Sequence, residues 1–566
     1  MPCSAAVVLW ALAALAALGA PTAVAGPRST IHEAKTNYST SQMLGSEEDI
    51  EYPVPEGFLI GVGLSACQAE GAWDQHGKGP SVVDRLTHTE AAGFPATADV
   101  AADHYKRYRE DLAMAKQIGL KSLRFSISWA RVLPTGDAAH PNPEGVQFYH
   151  DYIDEVIKNG LEPVVTMAHF DQPFMLENRT GGWNYPEMID NFVDYADFLF
   201  ATYGKKVRKW ITLNEPNNYC VYFPVLMGSA GLAPDDAMVL GPYRCMHHMN
   251  LAHLRTYRLY QDKYRAEQQG LVGASLLVWP ATPASPRLRD VLAADAFLQL
   301  FSGTSMYPLV YGDYSPTTRH LVDSRTAELG LNASRLPAFS AADKEALAKG
   351  AALDFIALNV YNGYTVQYRD DPADGSKLPR LLRSIEDDLP FVKILGNSEY
   401  DETGSDFMVM HDAVLWTWNS YRVPILIAEN GFADVKSLGV NDTIRAHFHS
   451  TNIRSLLRAM KEYGIQVMGY IAWSLLDLFE FTGGYGRNFG LVHVDYQSGS
   501  LNRTLKQSTA FFQYIGRTGR VPHVPAPSSS GAPGLLPGLL PGLLPGLLPG
   551  ALLLLACAAH LRDSLF

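Results

Sequence analysis

Along the chain, short runs dense in branched and aromatic residues alternate with longer stretches whose apolar positions recur every three or four residues. Eight runs stand out: FLIGVG (58–63), SLRFSIS (122–128), PVVTMAH (163–169), WITLNE (210–215), VGASLLV (272–278), DFIALNV (354–360), PILIAEN (424–430) and MGYIAWS (468–474). Their length and composition predict strands, while intervening patterns such as YIDEVIKNG and IRSLLRAMKEYG predict amphipathic helices. Each of the first seven is followed by room for at least one helix. Strand and helix alternating in this way predict an α/β fold, a single (β/α)8 TIM barrel with extended loops over residues 51–517. The excess length falls after strands four, five and six, so 217–243, 304–345 and 361–410 are expected to be variable loops over the barrel mouth.

The two ends depart from the pattern. Residues 1–25 are apolar and close on Ala23-Val24-Ala25, as in a cleaved secretory signal peptide, although a basic flank is missing and a membrane anchor is the alternative. Residues 26–50 then read as an N-terminal leader. Residues 518–566 form a Pro/Gly/Leu-rich tail built on a Pro-Gly-Leu-Leu repeat. Small residues from Ser528 to Ala532 before an apolar stretch suit a GPI-anchor signal in outline, whereas Arg562 and Asp563 are atypical of one; a spanning tail or a low-complexity appendage are the alternatives. The ends therefore predict a secreted or extracellular protein, or one held at the cell surface by a GPI anchor. N-glycosylation sequons at Asn37, Asn178, Asn332, Asn441 and Asn502 are compatible with that route.

Composition narrows the partners. The 566 residues are 47% hydrophobic and 18% charged, as in a large folded body. The net charge is −12 with both signs interspersed and no basic patch among aromatics, so no nucleic-acid partner is expected. Membrane contact is expected only through the C-terminal anchor, and oligomeric state is not legible. Cys220 and Cys245 flank a long loop, where a disulfide and two free thiols are both compatible with the spacing, and no cysteine spacing suggests a metal site.

In a barrel of this kind, chemistry gathers at the carboxyl ends of the strands. Those ends deliver Arg124, His169 and Asp171, Asn214 and Glu215, Asn359 and Tyr361, Glu429 and Asn430, then Trp473 and Glu480. A single charged residue there usually just meets water, but a ring from six strands is harder to explain that way. Glutamates on strands four and seven would face each other across the mouth, the arrangement of paired-carboxylate glycoside chemistry. One must donate a proton and the other attack, so their surroundings must differ: Arg124 is the expected cationic neighbour of Glu429, and Glu215 needs burial or like-charge repulsion to keep its proton. Sequence spacing gives no distance between them, so retention and inversion both remain open at this point.

TLNEP (212–216) and IAENG (427–431) resemble the two active-site signatures of glycoside hydrolase family 1, which contains β-glucosidases, lactases, myrosinases and klotho proteins. SACQAEGAW (65–73), GKGPSVVD (77–84), LRFSISWARVLP (123–134), HFDQP (169–173), DFIALNVY (354–361), WSLLDLFEF (473–481) and RNFGLVHVDY (487–496) match in order, so the resemblance covers nearly the whole body. It implies a retaining mechanism with Glu215 as acid/base and Glu429 as nucleophile, supported by Arg124, Asn214 and Tyr361. Terminal β-D-glucosyl residues are the implied substrate, with galactosyl and fucosyl as further options, in a small-molecule or oligosaccharide β-glycoside. The implied sugar pocket comprises Gln68, His169, Asn214, Glu429, Trp473, Glu480 and Phe481, with no metal and no cofactor. The charge of Glu480 would repel a 6-phosphate. A non-catalytic, klotho-like glycan-binding or co-receptor protein is the alternative, disfavoured because both glutamates lie in intact motifs.

The sequence departs from the family pattern at several positions. Phe170 and Phe481 stand where tryptophan is usual, Gln172 and Leu478 where leucine and asparagine are, Cys67 for a tyrosine and Ala428 for a threonine. At Phe481 the change removes an N–H donor expected to reach a sugar hydroxyl. The substitutions are compatible with packing drift and with an altered glycone pocket.

Overall fold

The computed structural model describes residues 50–229, 231, 241–370, 388–389, 391–397, 407–434 and 438–526. All eight expected strands form: β1 (Leu59–Gly63), β2 (Ser122–Ser126), β3 (Glu162–Ala168), β4 (Lys209–Leu213), β5 (Leu271–Val278), β6 (Phe355–Val360), β7 (Ile425–Asn430) and β8 (Val467–Ala472). They are parallel, each pairs with its sequence neighbours, and β8 pairs with β1 to close the barrel. The fold is therefore the (β/α)8 barrel that the alternation predicts.

Period-two alternation divides the apolar residues between two cores. Val164, Ile211, Phe355, Leu426 and Ile471 pack together inside the barrel. Their strand neighbours Val165, Ile356, Ile425, Ile427 and Tyr470 face the surrounding helices. The helix Pro143–Lys158 illustrates the outer layer: proline at its first turn starts it, and Phe148, Tyr149, Tyr152, Ile153 and Val156 make the buried stripe.

Two features of the ends and loops lie outside the barrel. Tyr52–Pro53 pairs antiparallel with Arg520–Val521, joining the two ends of the body. On the loops after β5 and β6, Ala281–Pro283, Tyr364–Tyr368 and Val392–Asn397 form a separate three-stranded sheet.

Of the expected loops, 217–243 is helical up to Ser229 and from Gly241, with 232–240 outside the described residues, and 361–410 carries two strands and the start of a helix at Phe407, with 371–387 and 398–406 outside them; the expectation over 304–345 needs the most correction. That segment holds helices Thr304–Tyr311, Pro316–Glu328 and Ala341–Ala348. Ser315 caps the second, and Ser340 with Asp343 makes a capping box on the third, so polar residues that look like loop punctuation are helix starts. Cys220 and Cys245 are paired, with Cα atoms 5.5 Å apart, and tie the helix Pro216–Ser229 to the helix Gly241–Leu259. Cys67 is unpaired. Asn178, Asn332, Asn441 and Asn502 are all exposed, while Asn37, the leader and the tail lie outside the described residues.

Candidate active site

The strand ends converge on Arg124. This residue sits in the middle of β2 rather than at its end, points into the barrel and is 1% exposed. Its guanidinium donates to Glu429 Oε1, to the Ala428 carbonyl at 3.1 Å, to Asn214 Oδ1 at 2.6 Å and to Thr166 Oγ1 at 3.1 Å. One planar cation thus links β2, β3, β7 and the end of β4, a fork geometry that lysine cannot copy.

Glu429 reaches this cluster through an irregularity in β7. Ile427 pairs with Leu358, but the next pair is Glu429 with Asn359, so Ala428 is the extra residue of a bulge. Strict alternation would turn Glu429 outward with Ile427; the bulge re-aims it toward the mouth. Tyr361 Oη donates to Glu429 Oε2 at 2.7 Å, opposite Arg124.

Glu215 lies just beyond β4 with φ 40°, in the left-handed region, at the start of the helix Pro216–Ser229. Asn359 Nδ2 donates to its Oε1 at 2.6 Å and Asn218 Nδ2 to its Oε2 at 2.8 Å. Burial raises its pKa to about 7; the charge of Glu429 adds to the rise, while the two amide donors and Arg124 oppose it. The two carboxyls are electrostatically coupled and differently held, as unlike acid and nucleophile roles require.

The remaining polar residues form a second group around Glu480. Gln68 Nε2 donates to Glu480 Oε2 at 3.1 Å and Trp473 Nε1 to Oε1 at 3.3 Å. The Trp473 ring stacks on His169, with centroids 5.8 Å apart. Asn214 Nδ2 donates to His169 Nε2 at 3.2 Å, and burial with the Arg124 charge holds that imidazole's pKa well below its usual value. Gln68, His169, Asn214, Trp473 and Glu480 are thus brought together. Burial raises the Glu480 pKa to about 8, with the charge of Glu429 contributing and the Trp473 hydrogen bond opposing.

Phe170 and Phe481 pack on each other, with ring centroids 5.9 Å apart, and both contact Phe223. Both also have positive φ, 70° and 45°. The two departures from tryptophan are therefore one joint change in a shared aromatic wall. Gln172 adds a hydrogen bond to Tyr219 Oη, 2.5 Å away. Sequence reasoning missed Asn218 and the contact of Asn359 with Glu215. The spacing of Asn218, three residues after Glu215 on a helix, was the available signal. Among the described residues no group of three or more His, Cys, Asp or Glu side chains could hold a metal ion, and no helix is long and apolar enough to cross a membrane.

Comparison with known proteins agrees with this geometry. The family described as glycosyl hydrolase family 1 matches residues 50–520. Human lactase/phlorizin hydrolase is 38% identical over 474 residues, covering 81% of this chain; the chain spans about a quarter of that relative's length, 24%. Myrosinase 1 of Brevicoryne brassicae is 34% identical over 482 residues, covering 83% of this chain and 100% of the relative. Among solved structures, a rice β-glucosidase mutant in a covalent complex with Glc superimposes with a TM-score of 0.72 at 31% identity, covering 81% of this chain and 98% of the other.

Proposed function

The chain belongs to glycosyl hydrolase family 1, and on that premise we propose that it is a retaining β-glycosidase acting on terminal β-D-glucosyl residues, with galactosides and fucosides as further substrates. The observation that carries this reading is the pair of buried, coupled glutamates with opposed surroundings. Glu429, fixed by Arg124 and Tyr361, attacks the anomeric carbon and forms a glycosyl ester. Glu215, with a pKa near 7, gives its proton to the departing glycosidic oxygen, so that the aglycone leaves as an alcohol. Loss of the Glu429 charge in the ester then favours ionised Glu215, which takes a proton from water as the water oxygen replaces Glu429 on the sugar. The second displacement restores both groups and the original anomeric configuration. The rice relative's covalent complex with Glc supports the same two-step course.

Asn214, oriented by Arg124 and His169, is the group we assign to the sugar 2-hydroxyl. Gln68 and Glu480 grip adjacent hydroxyls, with Trp473 and His169 as a stacked wall. The test is hydrolysis of aryl β-glucoside, galactoside, fucoside, mannoside and thioglucoside by the full-length protein beside Glu429→Ala. Turnover that disappears in the variant, with retained anomeric configuration by NMR, is the expected result. A folded wild-type protein that turns over none of them would remove the proposal.

A further inference from the structure

The turn after β4 does more than deliver Glu215. Asn218 lies in the first turn of the helix Pro216–Ser229, three residues on and on the same face. It is buried, and its Nδ2 reaches Glu215 Oε2 while Asn359, from β6, holds Oε1. Both oxygens of the carboxyl are therefore engaged by neutral N–H donors from two different elements. The backbone is fixed with it: the N–H groups of Asn218 and Tyr219 donate to the Glu215 carbonyl at 3.0 and 2.9 Å, and the Glu215 N–H donates to Ser275 Oγ at 3.1 Å. Downstream, the Tyr219 hydroxyl bonds Gln172 and the Cys220–Cys245 disulfide anchors the same turn.

We propose that Asn218 is a positioning residue that holds the Glu215 carboxyl through both directions of proton transfer, by the N–H it donates to Oε2. This rests on the acid/base assignment above and extends it to a residue on Glu215's own helix. The charged groups facing Glu215 are Glu429 on β7 and Arg124 on β2; Asn359, Asn218 and the unprotonated His169 carry none. Burial drives the carboxyl toward its protonated form, which suits the first step and hinders the second, even after the Glu429 charge is lost in the ester. Two N–H donors shift the balance back toward the carboxylate, so that one group can give and retake a proton near neutral pH. Asn359 also faces Asn214, with 3.4 Å from Nδ2 to Oδ1, whereas Asn218 serves Glu215 from the adjacent helical turn.

The test is a carboxyl 13C NMR titration of full-length protein labelled at glutamate Cδ, with Glu215 assigned by the signal lost in Glu215→Gln. Wild type is compared with Asn218→Leu, which removes the donor at similar volume, and with Asn218→Ala, which removes it without adding bulk or charge if leucine is not tolerated. The Glu215 midpoint is expected to rise by about one pH unit in both. The alkaline limb of kcat/KM on an aryl β-glucoside should move up with it. Midpoints unmoved in the folded variants overturn the inference and leave the proposed activity standing. A midpoint that moves in a protein with no glycosidase turnover supports the hold on the carboxyl and removes the activity, so the two failures are distinguishable.

Discussion

Glu215 and Glu429 differ only in their neighbours, and this gives the residue-scale predictions. Glu429→Ala is expected to lower kcat by roughly 10⁴-fold or more on aryl glucosides, since it removes the carboxylate proposed to form the ester. In the proposed mechanism Glu215, with a pKa of about 7, is protonated for the first step, so kcat/KM is expected to fall as pH rises through about 7; a rate that keeps climbing to pH 9 would contradict the proposed role. Arg124→Met would leave buried Glu429 without its cation and Asn214 without its shorter donor, at a cost of about 3–5 kcal/mol in unfolding free energy, measurable by denaturant titration. Much of this site was legible beforehand, because Glu215, Glu429 and their flanking motifs are contiguous in sequence. Asn218 was missed because its role depends on a helix beginning immediately after Glu215.

At the scale of elements, the strands were legible and their irregularities were not. The apolar run in ILIAEN identifies β7, yet strict period-two alternation would point Glu429 away from the mouth; the bulge at Ala428 reverses it. Trp473 depends on two close approaches. A Cβ on Gly63 would lie 2.8 Å from its ring, and one on Gly431 would lie 2.1 Å from its carbonyl oxygen. Gly431→Ala is therefore expected to displace Trp473, raising KM for glucosides and lowering Tm together, because backbone cannot yield as a flexible side chain would. The Cys220–Cys245 link closes a separation of 25 residues beside the Glu215 helix. Replacing both cysteines by alanine is expected to cost about 3 kcal/mol by loop entropy, read as a lower Tm in the absence of reductant.

For the whole molecule, buried acids set the pH range of stability. Folded Glu215, Glu480 and Asp171 titrate at about 7, 8 and 7, burial being the main cause in each. Between the ordinary carboxyl range and those values the folded state holds protons that the unfolded chain releases, so stability falls as pH rises toward 8. Burial opposes ionisation of Asp111 and Asp477, but His104 with Arg503, and His493 with Lys506, outweigh it and hold both below the usual range. Their contribution is present above that range and lost as pH falls through it. Burial also lowers the pKa of His169, His253 and His449, which costs stability as pH falls below the ordinary histidine range, so thermal denaturation is expected to be most favourable to the fold near about pH 6.5, with Glu480→Gln flattening the decline on the alkaline side.

By itself the sequence determined the eight strands, helices between them outside 304–345 and the polar strand ends, because periodicity and local motifs are properties of contiguous residues. It also carried the family resemblance, which needs order along the chain but no distances. Tertiary structure alone decided which ends meet: Arg124 with Glu429 across 305 positions, Phe170 with Phe481, and Cys220 with Cys245. Those contacts arise from barrel closure, strand register and one bulge. The pKa of Glu215 follows from the same source, since burial and the nearness of Glu429 exist only after the strands have closed.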